Sequence, residues 1–311
     1  MNSLNRAFTR LQAKRRYESW FLRFGLADGN GTWWLRYLLT NPGRNGCAMS
    51  GGSPGQVWAT WFPRDGAPQA FIQEFPIADV KLASRSDPFS LEIGSNCIRD
   101  NSCRGSIAAN GQQISWNLQY SSRFSVTLSN KGWIGFSRTP HSDAIFSGEI
   151  RGQGAISQGS PLGMGVQGHN CGFRHRNFWT WTHACFPQQD GSLSTLEALV
   201  YEMPLGFRFR KAVLWHKGQQ YIWRRLQESV RDPHRLKWNF YARSRDCNLL
   251  AEIDGSGASI HRLPYVKTDC SGTFEVSNNS RSRIRVTLDL PTGRQEFSSE
   301  NDSVLEMTGD Y

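Results

Sequence analysis

The chain has 311 residues, 38% hydrophobic and 20% charged, with a net charge of +10. That composition describes a globular chain of about two domains with a substantial core, and excludes a disordered one. No apolar run approaches the roughly 18 residues of a membrane-spanning helix, and the N-terminus lacks the continuous apolar stretch of an export signal. Residues 4–16 set Leu4, Phe8 and Leu11 at helical spacing among Arg6, Arg10, Lys14, Arg15 and Arg16. This predicts a short basic amphipathic helix, suited to an anionic lipid surface or to capping a β domain. From residue 17 the pattern changes to short aromatic strands at 17–24, 33–39 and 56–62. Asp28-Gly29-Asn30-Gly31 is a turn between the first two.

Ile114, Trp116, Leu118 and Tyr120 alternate with polar residues, as do Phe124, Val126 and Leu128, so these two stretches read as an antiparallel pair. Residues 152–168, rich in Gly, Ser, Gln and Pro, read as a linker. Beyond it lie strand candidates at 175–186, 195–202, 206–215, 219–223, 258–264, 272–277 and 282–290, with a short helix over 222–231. Twelve tryptophans, 18 phenylalanines and 30 glycines suit such a β-rich fold. The expectation is an all-β protein of two antiparallel barrels or sandwiches, 1–160 and 161–311.

Gly168 to His183 carries the densest chemistry. Read as a strand from His175, one face shows His175, Asn177, Trp179, Trp181 and His183. Flat aromatic rings beside neutral hydrogen-bonding groups suit the wall of a pocket for a large apolar ligand. An aromatic core with satisfied histidines is the plainer alternative.

Several motifs fail on context. Gly163 to Gly168 matches G-x-G-x-x-G but lacks the preceding strand and following helix of a dinucleotide site. Gly51-Gly52-Ser53-Pro54-Gly55 matches a hydrolase elbow, yet Pro54 has no N–H for an oxyanion hole. His175 and His183 lie eight residues apart, roughly 27 Å along a regular strand, too far to share a metal ion. Arginines are widely spread and no nucleic-acid-binding motif is present, so nucleic acid is not an expected partner. The seven cysteines contain no C-x-x-C and read as reduced thiols of a cytoplasmic protein.

Two motifs carry a family resemblance. Tyr17-Glu18-Ser19-Trp20-Phe21 resembles an opening E-G-W-Y strand. Gly168-His169-Asn170-Cys171-Gly172, followed by Trp179-Thr180-Trp181, resembles a central H-N-W-G plus W-x-W segment. Both belong to the lipocalin-like family of tocopherol cyclase, carotenoid 1,2-hydratase (hydroxyneurosporene synthase) and the decalin-forming Diels–Alderases. Ser19 and Cys171 depart from the family's Gly and Trp, so the substrate does not transfer. The resemblance implies two calycin-like β-barrels, with a ligand pocket between or within them. It also implies metal-free and cofactor-free cyclisation, hydration or cycloaddition of a polyene or isoprenoid.

On that reading Glu18 is the acid, kept protonated by burial. His169 and His175 are the other catalytic candidates. Trp20, Trp33, Tyr37, Trp58, Trp179 and Trp181 line the pocket, with Asn170, Asn177 and His183 as polar contacts. The expected partner is a large hydrophobic small molecule, with membrane contact through the N-terminal helix. The expected location is the cytoplasm or its membrane surface. A non-catalytic carrier needs the same pocket without a group of shifted pKa.

Overall fold

Alternating apolar and polar residues put nearly all of the chain into strands in the computed structural model. It describes residues 3–44, 46–47, 53–84, 86–109, 111–152, 155–175, 178–257 and 259–309. Twelve strands form the first sheet: β1 (Tyr17–Leu26), β2 (Gly31–Thr40), β3 (Gly55–Pro63), β4 (Gln69–Phe75), β5 (Val80–Leu82), β6 (Ser90–Ile93), β7 (Asn96–Arg99), β8 (Ser102–Ala109), β9 (Gln112–Ser121), β10 (Val126–Asn130), β11 (Gly135–Gly152) and β12 (Ala155–Gly172). Their order is β4-β3-β2-β1-β12-β11-β9-β8-β7-β6-β5, with β10 on β11. The sheet curls into a nearly closed barrel: Gln73 on β4 accepts the Ala108 N–H of β8 at 3.1 Å. Strand alternation sends Trp20, Leu22, Phe24, Trp33, Leu35 and Tyr37 into one dense core with Trp116, Leu118 and Phe146.

Ten strands form the second sheet: β13 (Trp179–Pro187), β14 (Leu193–Glu202), β15 (Arg208–His216), β16 (Gln219–Trp223), β17 (Leu226–Asp232), β18 (Lys237–Arg243), β19 (Asn248–Asp254), β20 (His261–Val266), β21 (Thr273–Leu290) and β22 (Gly293–Thr308). Their order is β16-β15-β14-β13-β22-β21-β19-β18-β17, with β20 on β21. This sheet has its own core around Phe186, Leu196, Leu214, Trp223, Trp238 and Phe240. The described strand pairings of both sheets are antiparallel. By contacts the chain divides into two compact units. Met1–Trp61, Gln69–His175 and Tyr265–Phe274 form one; Phe62–Pro68, Arg176–Pro264 and Glu275–Tyr311 form the other.

Several expectations change. The N-terminal helix is absent: a single 3-10 turn at Ser3–Asn5 is followed by irregular chain. The backbone N–H groups of Phe8 and Thr9 are taken by a carboxylate elsewhere in the fold, so they cannot serve a helix. The supposed linker is strand β12, which bridges β1 and β11 and contains the Gly163–Gly168 run. β9 pairs with β11 and not with β10, because β11 is long enough to take both as neighbours along its length. The helix expected over 222–231 is strand, ending β16 and forming β17. β13 begins at Trp179, so His175 is not on the strand that carries Trp181 and His183.

The thiol reading also changes. Cys47 and Cys270 form a disulfide with their Cα atoms 5.5 Å apart. Their separation of 223 positions conceals the pairing in the sequence. The other five cysteines are buried and carry thiols. Alkylation of denatured, unreduced protein should therefore label five of the seven cysteines. Replacing Cys47 and Cys270 by alanine should lower the unfolding free energy by about 2–5 kcal/mol in urea titration. Labelling of all seven would contradict the pairing.

Candidate active site

The pairing of β1 with β12 sets Glu18 opposite Cys171 and Trp20 opposite His169. With period-2 alternation, all four side chains point to the same face, the barrel interior. Glu18 and His169 are both fully buried, and Glu18 Oε1 lies 2.7 Å from His169 Nε2. The N–H of Phe8 donates to the same oxygen at 2.8 Å, and that of Thr9 to Oε2 at 2.6 Å. The Leu4 carbonyl lies 2.7 Å from His169 Nδ1. A carbonyl can only accept, so Nδ1 carries a hydrogen.

Burial pushes the Glu18 carboxyl upwards. The His169 hydrogen bond and charge, with the Phe8 and Thr9 N–H groups, outweigh this and hold it below its usual range. Glu18 is therefore a carboxylate, and Nε2 also donates. This corrects the expectation of a carboxylic acid kept protonated by burial. Burial is present, but the donors around the carboxyl win.

Aromatic rings enclose that imidazole. Trp20 stacks on it at 4.6 Å and 15°, and Phe136 meets it edge-on at 4.8 Å. Trp20 also stacks on Phe89 at 5.4 Å and donates its indole N–H to the Asn5 carbonyl at 3.1 Å. Gln167 holds the Asn5 side chain at 3.0 Å. Arg16 reaches Cys171 Sγ at 3.4 Å and lies over Phe8 and Phe173. Burial, with the nearby Glu18 charge, pushes the Cys171 thiol up to about 12, so it remains protonated. Gly168 is required by packing: a Cβ there would run into the Phe21 ring. Residues 4–9 thus form a cover stitched to the site by their own backbone. Behind this cover is a cavity of about 310 Å³, whose walls include Thr9 and Phe89.

The other expected residues occupy different places. Trp33 and Tyr37 lie in the barrel core with Trp20. Trp33 packs on Trp61. The Tyr37 hydroxyl accepts the Trp116 indole N–H at 2.9 Å and faces the Cys97 and Arg104 carbonyls. Trp58 and Asn170 belong to the opposite face of this sheet. Trp58 meets Tyr265 edge-on beneath the Arg36 guanidinium, and Asn170 is in register with Ser19. His175 stacks on Tyr17 at 3.8 Å. Burial, then the Arg36 charge, pushes its ring well below the ordinary histidine range, so it is neutral.

Trp179, Trp181 and His183 are in the second unit. There Trp179 donates to Glu306 at 2.9 Å and Trp181 to Glu197 at 3.0 Å, and His183 is in register with Glu197. Sequence reasoning missed both carboxylates. Neither sits in a recognisable motif, and the strand registers alone bring them to the indoles. Asn177 lies outside the described residues.

The pair links stability to pH. Because the folded-state pKa of Glu18 is depressed, its contribution is complete above the usual carboxylate range. It is lost as pH falls through the folded-state value. Urea midpoints should fall more steeply on acidification from about pH 6 to about pH 3 in the native protein than in Glu18→Gln. Glu18→Ala, which strands a buried imidazole and two N–H groups, should cost about 3–5 kcal/mol. Parallel pH profiles for native protein and Glu18→Gln would contradict the assignment.

No protein-family model and no curated protein matches the chain. Solved structures do. CghA, in its crystal structure with Sch210972, aligns at a TM-score of 0.64 with 10% identity, covering 95% of this chain and 89% of CghA. Kievitone hydratase from Nectria haematococca aligns at 0.56 with 8% identity, covering 100% and 95%. An AttH-like protein from Nitrosomonas europaea aligns at 0.57 with 13% identity, covering 97% and 94%. At these identities the likeness is one of fold. This chain shares the all-β architecture of these three proteins.

Proposed function

We propose that this protein, with two calycin-like barrels, is a cofactor-independent cyclase or hydratase of a large apolar polyene or isoprenoid. The observation that carries the reading is the Nδ1–H of His169. It is backed by the Glu18 carboxylate, shielded from water, and already donates to a carbonyl, that of Leu4. The fold likeness to CghA and kievitone hydratase supports it as an analogy.

With the cover displaced, a substrate occupies the place of the Leu4 carbonyl and meets that hydrogen. In an acid-catalysed cyclisation the proton moves from Nδ1 to an alkene carbon. A second π bond attacks the adjacent cationic carbon and closes the ring. A proton from the carbon next to the new cation returns to Nδ1, so the pair ends as it began. In a hydration, water takes the place of the second π bond. Trp20 and Phe136 wall the imidazole and exclude solvent. Glu18 stays ionised throughout and stabilises the charged imidazole. In a cycloaddition the same hydrogen bond would polarise a carbonyl with no net proton transfer.

A carrier is the second reading. It is favoured by the fact that the chain itself occupies the pair, through Leu4, Phe8 and Thr9. The test is product formation from a panel of polyenes and isoprenoids. Glu18→Gln, checked as folded by circular dichroism, should lower turnover by about 10²–10⁴ with binding nearly unchanged. A small loss would favour cycloaddition. Tight binding without turnover of any substrate would establish the carrier, and full turnover in Glu18→Gln would remove the pair from the mechanism.

A further inference from the structure

The cavity behind the cover is not used by the reaction proposed above, and its walls have a distinct chemistry. Leu11, Leu82 and Phe89 give it an apolar side that continues into the barrel core. Arg6 and Arg10 stand at its exposed edge. Neither makes a salt bridge among the described residues; Asp100 attracts Arg6 through space without pairing with it. The lining has one carboxylate, Asp87. It accepts the Ser84 hydroxyl at 2.7 Å and the Ser86 hydroxyl at 3.4 Å, so its own loop engages it. Two arginines against one aspartate leave the walls net positive. A volume of about 310 Å³ is at the small end for a ligand pocket. It suits one short chain and not a whole large polyene.

We propose that this cavity binds a single-chain amphipathic anion, its carboxylate or phosphate head between Arg6 and Arg10 and its tail over Leu11, Leu82 and Phe89. Guanidinium groups hold such heads through paired, charge-assisted hydrogen bonds. The apolar wall removes the tail from water. The site does not depend on the proposed reaction, but it adjoins it. Thr9 lines the cavity while its N–H holds Glu18, and Phe89 lines it while stacking on Trp20. A bound anion therefore braces the segment that covers the pair.

The test is calorimetric titration with decyl phosphate, decanoate and neutral decanol, each below its aggregation limit. Both anions should bind at one per chain, at least about tenfold more tightly than decanol, and more weakly in high salt. Arg6→Gln and Arg10→Gln should each weaken anion binding by about tenfold and leave decanol unchanged. Asp87→Asn should strengthen it, a gain that damaged folding could not produce. Neither arginine touches Glu18 or His169, so loss of anion binding in these variants is separate from the outcome for the reaction. Equal binding of decanol and decyl phosphate would overturn the proposal, as would anion binding unaffected by both arginine variants. Binding confined to phosphatidylglycerol vesicles would also overturn it, in favour of a membrane surface.

Discussion

A carboxylate and an imidazole 2.7 Å apart, both withdrawn from water, set the terms for the first unit. Dehydrating two such ions costs several kcal/mol each, and their attraction offsets this only if the remaining hydrogen-bonding capacity is met. Here it is met by a chain segment with no regular structure after the 3-10 turn at Ser3–Asn5. Phe8 and Thr9 give their N–H groups to Glu18, and Leu4 gives its carbonyl to His169. The pair is satisfied only with the segment in place. The segment in turn cannot be a helix, because its donors are already used. The catalysis proposed for this pair therefore requires exchange of one partner, and on that proposal the substrate replaces Leu4, which holds the remaining ring nitrogen.

The same coupling shows what could be read from sequence. Aromatic richness and the Asp28–Gly31 turn identified β1 and β2 closely, and period-2 alternation identified β9. The two motifs around Glu18 and His169 proved to be neighbours through β1–β12 pairing. Their residue types, Glu and His among aromatics, were chemically legible. Whether Glu18 carries a proton was not, because that depends on backbone donors from residues 8 and 9, and a backbone N–H leaves no mark on a sequence. The helical spacing of Leu4, Phe8 and Leu11 misled for the same reason. Spacing reports a local preference, and a buried carboxylate overrode it.

Other misreadings share the feature of long-range pairing. The Gly- and Ser-rich stretch at 152–168 has the composition of a linker, yet most of it belongs to β12, an interior strand of the first sheet. Glycine there serves close packing: at Gly165 a side chain would strike the Arg23 carbonyl, and at Gly168 the Phe21 ring. The Cys47–Cys270 disulfide and the Trp179–Glu306 contact join residues more than a hundred positions apart. The indole N–H groups of the W-x-W segment each need an acceptor once buried. That an acceptor must exist was foreseeable; which carboxylates supply it was fixed by strand register.

The central claim is that Glu18 is the accepting carboxylate of the buried pair, so that both ring nitrogens of His169 face acceptors, Glu18 and the Leu4 carbonyl. Nitrogen-15 NMR of histidine-labelled protein near neutral pH reads this directly. The account predicts two slowly exchanging ring N–H signals for His169. A ring with one N–H and a bare Nε2 facing a protonated Glu18 would contradict it.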